Sequence, residues 1–551
     1  MADHDEGDRR DGAAGQDPTA DPSTRDRLAE PTRSSERAPD PPLVLVLHGG
    51  RGDLARRLVV PSVATLHRRA LLPEHWALLG TGRGVVGTQE YASFVRDALE
   101  KFGQEDTRDA DVEALTRHAA FTGEVGDDEP GDLPGVVENV RAVLAEAAGA
   151  DPADVVVVHY LAVPPQAFEP LTRNLARHGL ARGPDGRADT VRVVYEKPYG
   201  TSPESFAALD AVVHEAFEEE QVFRIDHFLG KEATQNLHVL RFANELFGSI
   251  WSRQHVTQVQ IDVPETLDVA QRAEFYDATG AALDMVVSHL FQVAAQVAME
   301  PPRHLAVEDL ARAREEALRD FRDLDPADVV LGQFEGYREI EGVADDSQTD
   351  TFIAARLWID NDRWRGVPFL LRTGKRMAAS AQRVTLVLRR DPEHLYGDEV
   401  PTGRISVSLA GDGAIEVTSV VKRPGPDLDL AVGTARLDLD DVEPGAPLPA
   451  YASLLDDVLH GDRTLFTTPG GLEAAWRAFA PLLGPDRPEV VPYAPGSWGP
   501  DAALELAEPE GWTLGGRAGE GEQAGEGESK KEGAGEDEGE GEGAGGGSPG
   551  R

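Results

Sequence analysis

The 551-residue chain has no cysteine, which excludes disulfide bonds, thiolate nucleophiles and thiolate metal ligands. It also begins without the apolar stretch of a signal peptide. Its most apolar runs, 43–47 and 155–165, fall far short of the roughly 18 residues that a membrane-spanning helix needs. We therefore expect a soluble protein of the cytoplasm that has no membrane partner.

Positive charge is scarce as well. The chain has 54 Lys and Arg against 98 Asp and Glu, which gives a formal net charge of −44. Such a field repels the phosphates of nucleic acids, so a nucleic-acid partner is not expected. Only seven of the 54 residues are lysines. An anionic substrate would need a locally basic pocket in this acidic surface, which makes the position of each lysine informative.

Large apolar side chains are nearly absent from the two ends of the chain. Residues 1–41 are rich in Asp, Arg, Pro and Gly, and residues 515–551 form Gly/Glu repeats. Neither segment can bury enough apolar surface to offset its chain entropy, so both are predicted to be disordered tails. The remaining segment, 42–514, is longer than one hydrophobic core supports, which predicts two folded domains.

The first domain, predicted over 42–225, shows the alternation of strands and helices that is typical of α/β proteins. It opens with the apolar run 43–47, a glycine turn and a helix predicted over 53–69. The later predicted elements are the strands 76–79, 154–161 and 191–195 and the helices 91–102 and 133–147. This order predicts a Rossmann-type, doubly wound parallel sheet that binds a dinucleotide.

The second domain, predicted over 226–514, has a different pattern. Helices predicted over 232–246 and 280–298 precede stretches in which apolar and polar residues alternate, such as 383–389 and 405–409. Alternation of this kind suits an antiparallel sheet that has one solvated face. We therefore predict an α+β domain with a large, mainly antiparallel sheet.

The first predicted strand ends in the glycine turn Gly49-Gly-Arg-Gly52. Glycine lets a pyrophosphate approach the backbone closely, and the free N–H groups of the following helix can bind it. The G-x-x-G spacing is shorter than the full dinucleotide fingerprint, so an ordinary tight turn is an equal alternative for the motif alone. The second predicted strand is followed by Arg83, which suits the 2′-phosphate of NADP, the alternative being a solvated loop arginine.

Three further segments carry ionisable side chains where ligands could bind. Lys197 directly follows a predicted strand, although a salt-bridged loop lysine is the simpler explanation of that segment alone. If the stretch 224–232 is helical, His227 and Lys231, beside Asp226, lie on one face and could bind an anion, or they could be surface charge pairs. His289 lies in an otherwise apolar helix, where a satisfied core histidine is more common than a catalyst.

These segments occur together in the order and spacing of glucose-6-phosphate dehydrogenases, a family that the chain resembles over about residues 43–500. The shared motifs are HGGRGDLARRLVVPS, GTGRG, YLAVPP, EKPYGTS, RIDHFLGKEATQNLHVLRFAN, DMVVSHLFQ, VAMEPP, GVPFLLRTGKRM and GDRTLF. The block RIDHFLGKE, with EKP about thirty residues upstream, is the most specific of them. Three of the five lysines outside the C-terminal tail fall in these motifs: Lys197, Lys231 and Lys375.

The resemblance implies hydride transfer from C1 of β-D-glucose 6-phosphate to NADP, giving 6-phospho-D-glucono-1,5-lactone in the first step of the oxidative pentose phosphate pathway. It implies that His289 takes the proton of the C1 hydroxyl and that Asp226 holds the imidazole, which suits a base at neutral pH. The implied substrate ligands are His227 and Lys231 on the 6-phosphate, Glu265, Asp284 and Lys375 on the hydroxyls, and Lys197 spanning sugar and cofactor. The implied NADP ligands are Gly49, Gly52, Asp53, Leu54, Arg83 and Lys197.

Some positions depart from the family pattern. Phe228 stands where a tyrosine usually completes the phosphate site, and Ser380 stands where many members have a second lysine. Each change removes a possible phosphate ligand worth roughly 1.5–3 kcal/mol, which predicts weak binding of the 6-phosphate unless Arg376 or Arg383 compensates. The other departures are Ser288 for the usual asparagine, Leu283 for an arginine, and Arg51 for the serine of the glycine turn.

Two alternatives stay open at this point. The chain could act on another sugar or sugar phosphate within the same enzyme class, as Phe228 and Ser380 suggest. It could also be a catalytically poor relative that serves as a binding or regulatory subunit, although the retained base, its acid and the substrate cations argue against that. The resemblance further implies a homodimer or homotetramer formed through the large sheet, and a chemistry that needs no metal ion.

Overall fold

Two β-sheets organise the part of the chain that a computed structural model describes, one with six strands and one with nine. The described residues are 40–515 apart from 85, 124–130, 270–271, 305–306, 391–394, 397–399, 412, 440–441 and 443–446. The two segments predicted as disordered tails lie outside the described residues, except at 40–41 and 515.

The first sheet is wholly parallel. Its strands are β1 (Leu43–His48), β2 (Trp76–Thr81), β3 (Ala119–Thr122), β4 (Val156–Leu161), β5 (Val191–Tyr195) and β6 (Val222–Arg224). They lie in the order β3-β2-β1-β4-β5-β6, and nearly every strand residue is buried. The order reverses between β1 and β4, where the carboxyl ends of the strands open a crevice suited to ligands. The predicted Rossmann-type sheet is thereby confirmed.

Helices connect these strands. They are α1 (Val60–Arg68), which continues the π-helical segment Ala55–Val59, and then α2 (Thr88–Phe102), α3 (Asp109–His118), α4 (Leu133–Ala148), α5 (Phe168–Arg177) and α6 (Pro203–Ala216). The predicted helices 91–102 and 133–147 correspond to α2 and α4. The sequence did not predict α3, because its buried face includes the polar Asp111, Thr116 and His118 and shows little apolar periodicity.

The second sheet is mixed but mainly antiparallel, as predicted. Its strands are β7 (Val256–Pro264), β8 (Val329–Phe334), β9 (Phe352–Leu357), β10 (Phe369–Gly374), β11 (Arg383–Leu388), β12 (Arg404–Ser408), β13 (Ile415–Lys422), β14 (Leu430–Leu437) and β15 (Val490–Tyr493). Their order is β14-β13-β12-β11-β7-β10-β9-β8-β15. Within this sheet, only β7–β10 and β8–β15 are parallel among the strand pairs that the structure describes.

Helices of this second region pack beside the sheet. They are α7 (Glu232–Phe242), α8 (Glu245–Ile250), α9 (Ala273–Ala281), the π-helical segment Ala282–Leu290, α10 (Phe291–Ala298), α11 (Val307–Arg319), α12 (Ala450–His460), α13 (Pro469–Phe479) and α14 (Asp501–Glu505). The helix predicted over 232–246 is in fact two helices. The helix predicted over 280–298 is part of a longer one that kinks at Gly280, whose φ is +73°.

The long helix Ala273–Ala298, formed by α9, the π-helical segment and α10, is also apolar enough to cross a membrane. It has 26 residues, a mean hydropathy of 1.3 in its most apolar window, and 83% of that window buried inside the protein. Burial of this extent is expected of a core helix. In the sequence, Asp277, Asp284 and His289 interrupt the apolar run of this helix.

Candidate active site

The ionisable residues singled out from the sequence converge where the first sheet meets the long helix. Lys197 lies two residues beyond the end of β5, and Asp226 lies two residues beyond the end of β6. Asp284 and His289 project from the π-helical segment Ala282–Leu290. The carboxyl edge of a parallel sheet therefore faces the helix that carries the histidine, and the two surfaces share one polar cluster.

His289 and Asp226 form a buried hydrogen-bonded pair. His289 Nδ1 is 2.7 Å from Asp226 Oδ1, and the two side chains are 0% and 2% exposed. Asp226 Oδ1 also accepts the backbone N–H of Phe228 at 2.9 Å. A carboxylate acceptor requires the proton on Nδ1, which leaves the lone pair on Nε2. Within the described residues, Nε2 has no hydrogen-bond partner, so it is the atom open to a ligand.

The protonation of this pair suits a general base. Burial, with a further contribution from the charge of Lys197, lowers the pKa of His289 well below its usual range. The imidazole is therefore neutral near pH 7. Burial raises the pKa of Asp226 to about 6, so the carboxylate is ionised at neutral and alkaline pH. A neutral imidazole held by a carboxylate can accept a proton and is stabilised once it has done so.

The segment that holds His227 and Lys231 is a turn, so the shared helical face considered from the sequence does not form. Residues 227–230 form a turn and α7 begins only at residue 232, because the Asp226 side chain bonds the Phe228 N–H and competes with helical pairing. The two side chains nevertheless flank one ring: His227 lies 5.0 Å from the Phe228 centroid, and Lys231 Nζ lies 4.3 Å above it.

His227 is neutral in this arrangement, contrary to its prediction as a cation. Loss of water contact, followed by the proximity of His289, lowers its pKa well below the usual range. The His227 and His289 rings meet edge to face with centroids 4.5 Å apart. A bound anion would oppose this effect, so a phosphate could bring the proton that the free site lacks.

Two ion pairs lie on the other side of the cluster. Lys197 Nζ is 3.1 Å from Asp284 Oδ1, and Lys375 Nζ is 2.5 Å from Glu265 Oε2. Glu265 and Lys375 meet because they follow the paired parallel strands β7 and β10. Burial would raise the pKa of Asp284, but Lys197 and other neighbouring cations outweigh it and lower that pKa to about 2. The site therefore offers fixed charged donors and acceptors for hydroxyl groups.

The cluster of Asp226, His227 and His289 also has the donor spacing of a metal site. One ligand atom of each lies within 4.8 Å of the others. A metal ion would have to displace the hydrogen bond between His289 and Asp226, which already engages two of the three groups.

The glycine turn forms a backbone cradle at the crevice of the first sheet. Gly49 has a φ of +75°, and a Cβ there would lie 2.3 Å from the carbonyl oxygen of Ala162. A Cβ on Gly50 would lie 2.8 Å from Gly80 Cα. The turn thus packs directly on neighbouring strand ends and leads into the helix that begins at Asp53. The first backbone N–H groups of that helix fit the pyrophosphate of a dinucleotide.

Other predicted cofactor residues lie around the same cradle. Asp53 and Leu54 form the first helical residues after the turn, and Asp53 Oδ1 is 3.1 Å from Arg57 Nε. Arg83 is exposed in the loop after β2. That loop is where Rossmann-type proteins hold the adenosine ribose, so the residues present fit NADP.

Sequence models of one family match almost the whole described chain. The model described as "Glucose-6-phosphate dehydrogenase, NAD binding domain" matches residues 46–236, and that of the C-terminal domain matches residues 238–514. The chain belongs to the glucose-6-phosphate dehydrogenase family. The predicted family, fold class and oxidoreductase class are thereby confirmed.

Individual members of the family are similar over most of their length. Glucose-6-phosphate 1-dehydrogenase 2 of Mycobacterium tuberculosis is 35% identical over 491 residues, which cover 84% of this chain and 93% of that protein. The crystal structure of the Mycobacterium avium enzyme superposes with a TM-score of 0.74 at 31% identity, covering 86% of this chain and 98% of the other. A glucose-6-phosphate dehydrogenase in complex with glucose 6-phosphate gives a TM-score of 0.78 at 26% identity, covering 87% and 100%.

The residues that depart from the family pattern have clear local surroundings. Ser380 Oγ accepts the N–H of Thr266 at 2.9 Å and so holds the loop after Glu265. Phe228 is 2% exposed, and its ring stacks on His289 with centroids 4.7 Å apart. Ser288 Oγ donates to the Asp284 carbonyl oxygen at 2.7 Å.

The two arginines considered as substitutes on the phosphate side have other partners. Arg383 pairs with Glu416 at 2.9 Å, and the Arg376 guanidinium lies 5.7 Å from the Phe334 ring centroid. The Lys231 ammonium donates a hydrogen bond to Gln382, a residue that the sequence did not point to. No sequence signal could have found it, since it lies 151 residues from Lys231.

A second group missed from the sequence is a buried carboxyl, Glu196. It accepts hydroxyl hydrogen bonds from Tyr160 at 2.5 Å and from Tyr451 at 3.4 Å. Burial raises the pKa of Glu196 to about 7, despite these bonds and the adjacent Lys197. The Tyr451 ring lies nearly parallel to that of His227, with centroids 6.3 Å apart. The signal in the sequence that could have pointed to Glu196 is the EKP motif, which begins with this residue. No such signal exists for Tyr451, which comes from a distant helix.

Proposed function

We propose that this protein oxidises β-D-glucose 6-phosphate at C1, with NADP as hydride acceptor, and that His289 is the general base. The observation that carries the proposal is the open Nε2 of a neutral, buried imidazole whose Nδ1–H is bound by the Asp226 carboxylate. A buried nitrogen without a hydrogen bond lowers the stability of the fold. Its presence in this pair therefore favours a role in catalysis over a structural one.

In the proposed reaction the C1 hydroxyl donates its proton to Nε2 of His289 as the C1–H bond breaks. The O–H bonding electrons form the carbonyl of the lactone, and the hydride leaves C1. NADP, when bound, accepts that hydride at its nicotinamide ring. Asp226 stabilises the imidazolium formed and keeps Nε2 directed at the substrate. The proton then passes to solvent when the product leaves.

The 6-phosphate is proposed to lie between His227 and Lys231. Lys231 is held by Gln382 and by the Phe228 ring, which fixes its ammonium beside the histidine pair. A phosphate there would accept a charge-assisted hydrogen bond from the Lys231 ammonium. His227 would gain a proton on binding, since the anion favours its charged form.

The sugar hydroxyls are proposed to bind Asp284, Glu265 and Lys375, with Lys197 spanning sugar and cofactor. In the structure these groups pair with one another, so a substrate exchanges the ion pairs for hydroxyl hydrogen bonds. A sugar lacking a matching hydroxyl would leave a polar group unpaired, at a cost of about 1–3 kcal/mol. That cost is the physical basis for sugar selectivity.

We propose further that the protein divides near residue 225 into an NADP-binding domain and a substrate-binding domain. We also propose that it works in the cytoplasm and that it associates into a homodimer or homotetramer. Support for association comes from the outermost strands β13 and β14 and their connection. These expose apolar side chains, namely Val421, Leu428, Val432 and Leu437 at 47%, 66%, 51% and 50%. Exposed apolar clusters of this kind mark protein interfaces. Light scattering of the purified chain at micromolar concentration tests this.

The catalytic proposal is tested with a panel of glucose 6-phosphate, other hexose phosphates and free hexoses, each with NADP and NAD. We expect glucose 6-phosphate with NADP to have the highest kcat/KM. His289→Ala should lower kcat by about 100- to 10,000-fold while the dissociation constants of both ligands stay within a few fold. A preference for another sugar would favour a different substrate, and an inactive wild type that still binds NADP would favour a regulatory subunit.

A further inference from the structure

Arg51, which replaces the serine usual in the family's glycine turn, reaches the first turn of α2. Its guanidinium nitrogen NH2 is 3.3 Å from Oε1 of Glu90, in the first turn of α2. The turn is fastened to the end of β2, because the Gly50 N–H donates to the Thr81 carbonyl at 2.9 Å. Arg51 is therefore directed away from β4 and toward the loop that carries Arg83.

The position of Arg51 separates it from the pyrophosphate cradle. The cradle combines the close-packed glycines of the turn with the first backbone N–H groups of the helix that begins at residue 53. Arg51 instead pairs with Glu90 in the helix that follows β2, and the end of β2 is where a dinucleotide presents its adenosine ribose. His48 and Thr81 are in register in the β1–β2 pair, so Arg51 and Arg83 leave the sheet from adjacent strand ends.

The ion pair of Arg51 and Glu90 is exposed and readily exchanged. The two side chains are 46% and 60% exposed, and pairs of this kind contribute little net stability. A phosphate dianion carries more charge than a carboxylate and offers three acceptor oxygens to the planar fork of an arginine. Arg51 would therefore prefer a nearby phosphate to Glu90.

We propose that Arg51 is a second residue that selects the 2′-phosphate of NADP, and that Glu90 is the counter-ion that this phosphate displaces. The inference rests on NADP being the cofactor of the proposed function. It adds a cation where the family pattern has a neutral hydroxyl. The competing explanation is that Arg51 and Glu90 only fasten the turn to α2.

The test uses two nucleotides that differ in a single group: adenosine 2′,5′-bisphosphate and adenosine 5′-monophosphate. Calorimetry on the full-length protein gives both dissociation constants without any turnover. For Arg51→Ser we expect the bisphosphate to bind about 10-fold more weakly and the monophosphate to change by less than twofold. Arg56→Ser is the matched control, since it removes the same charge from a residue that lies over the Phe94 ring. It should leave both constants within twofold.

Glu90→Gln distinguishes the two explanations by the sign of its effect. If Glu90 competes with the phosphate, its neutralisation should tighten the bisphosphate about two- to fivefold and leave the monophosphate unchanged. If the pair only fastens the turn, Arg51→Ser and Glu90→Gln should weaken both nucleotides alike or neither, and the proposal is then wrong. Arg83→Ala supplies the comparison for loss of one phosphate ligand.

Failure here and failure of the proposed function are separable. The sugar panel with wild-type protein tests the reaction independently of Arg51. A wild type that oxidises glucose 6-phosphate with NADP, together with an Arg51→Ser variant that binds the bisphosphate normally, overturns only the present inference. Thermal unfolding of each variant checks that the turn remains folded.

Discussion

Replacing Asp226 with asparagine removes a negative charge beside the proposed base and keeps the shape of the side chain. The amide oxygen can still accept hydrogen bonds from His289 Nδ1, which lies 2.7 Å from Asp226 Oδ1 in the wild type, and from the Phe228 N–H. The lost quantity is therefore the stabilisation of the imidazolium that forms when His289 takes the proton. Asp226→Asn tests the charge of this residue rather than its hydrogen-bonding geometry.

The size of the effect follows from the burial of the pair. A charge-assisted hydrogen bond contributes about 1.5–3 kcal/mol. Two unit charges about 4 Å apart interact by about 4 kcal/mol at an effective dielectric constant of 20. Since 1.36 kcal/mol corresponds to a tenfold change in rate, kcat should fall by about 10- to 1,000-fold. Binding of NADP and glucose 6-phosphate should change far less.

The assay is steady-state oxidation of glucose 6-phosphate and of its C1-deuterated form across pH 5–9. Slower chemistry should raise the isotope effect on kcat. The pKa of Asp226, about 6, should appear as an acid limb in the wild type, because activity is lost as the carboxylate is protonated. That limb should be absent from Asp226→Asn.

A matched control is Asp277→Asn. Asp277 lies in α9 of the same long helix and bonds Ser347 and Tyr337 instead of the catalytic pair. It should affect stability and leave kcat nearly unchanged. Two results would refute the reasoning: an Asp226→Asn variant with kcat within threefold of wild type, or an equal loss of kcat in the control.

Three further predictions concern the phosphate site, acid stability and the surface charge. Phe228→Tyr should strengthen the binding of glucose 6-phosphate by up to roughly 1.5–3 kcal/mol, measured as a lower KM, and leave the KM for free glucose unaffected. An unchanged KM for glucose 6-phosphate would place the ring edge away from the phosphate. His159 is fully buried, and burial lowers its pKa to about 4, so the unfolded chain binds a proton first as pH falls below about 6.5. Stability should therefore drop between pH 6.5 and 4, by up to about 3 kcal/mol from this residue, and the urea midpoint of His159→Gln should fall less over that range than that of the wild type. With a net charge of −44, repulsion should lower stability at low salt, so raising NaCl from 0.02 to 0.5 M should increase Tm by several degrees; a constant Tm contradicts this.

The sequence by itself determined the class of each sheet and the family. Strands covered on both faces must be continuous apolar runs, and strands with one wet face must alternate, so the two patterns separate the parallel sheet from the mainly antiparallel one. Motifs such as RIDHFLGKE are local, and a local order of residues is visible without the fold. The same locality explains why helix α3, with its polar buried face, escaped prediction.

Only the tertiary structure decided which side chains meet. The contact of Lys231 with Gln382 spans 151 positions, and that of Glu196 with Tyr451 spans 255. Such contacts depend on how whole elements pack, and no spacing in the sequence encodes them. Packing also set the charges: His227 carries a titratable ring in any context, but its neutrality follows from lost water and from the neighbouring His289. The sequence shows which residue types are present. Their protonation states and their hydrogen-bond partners depend on the fold, because distant segments of the chain supply the groups that surround each side chain.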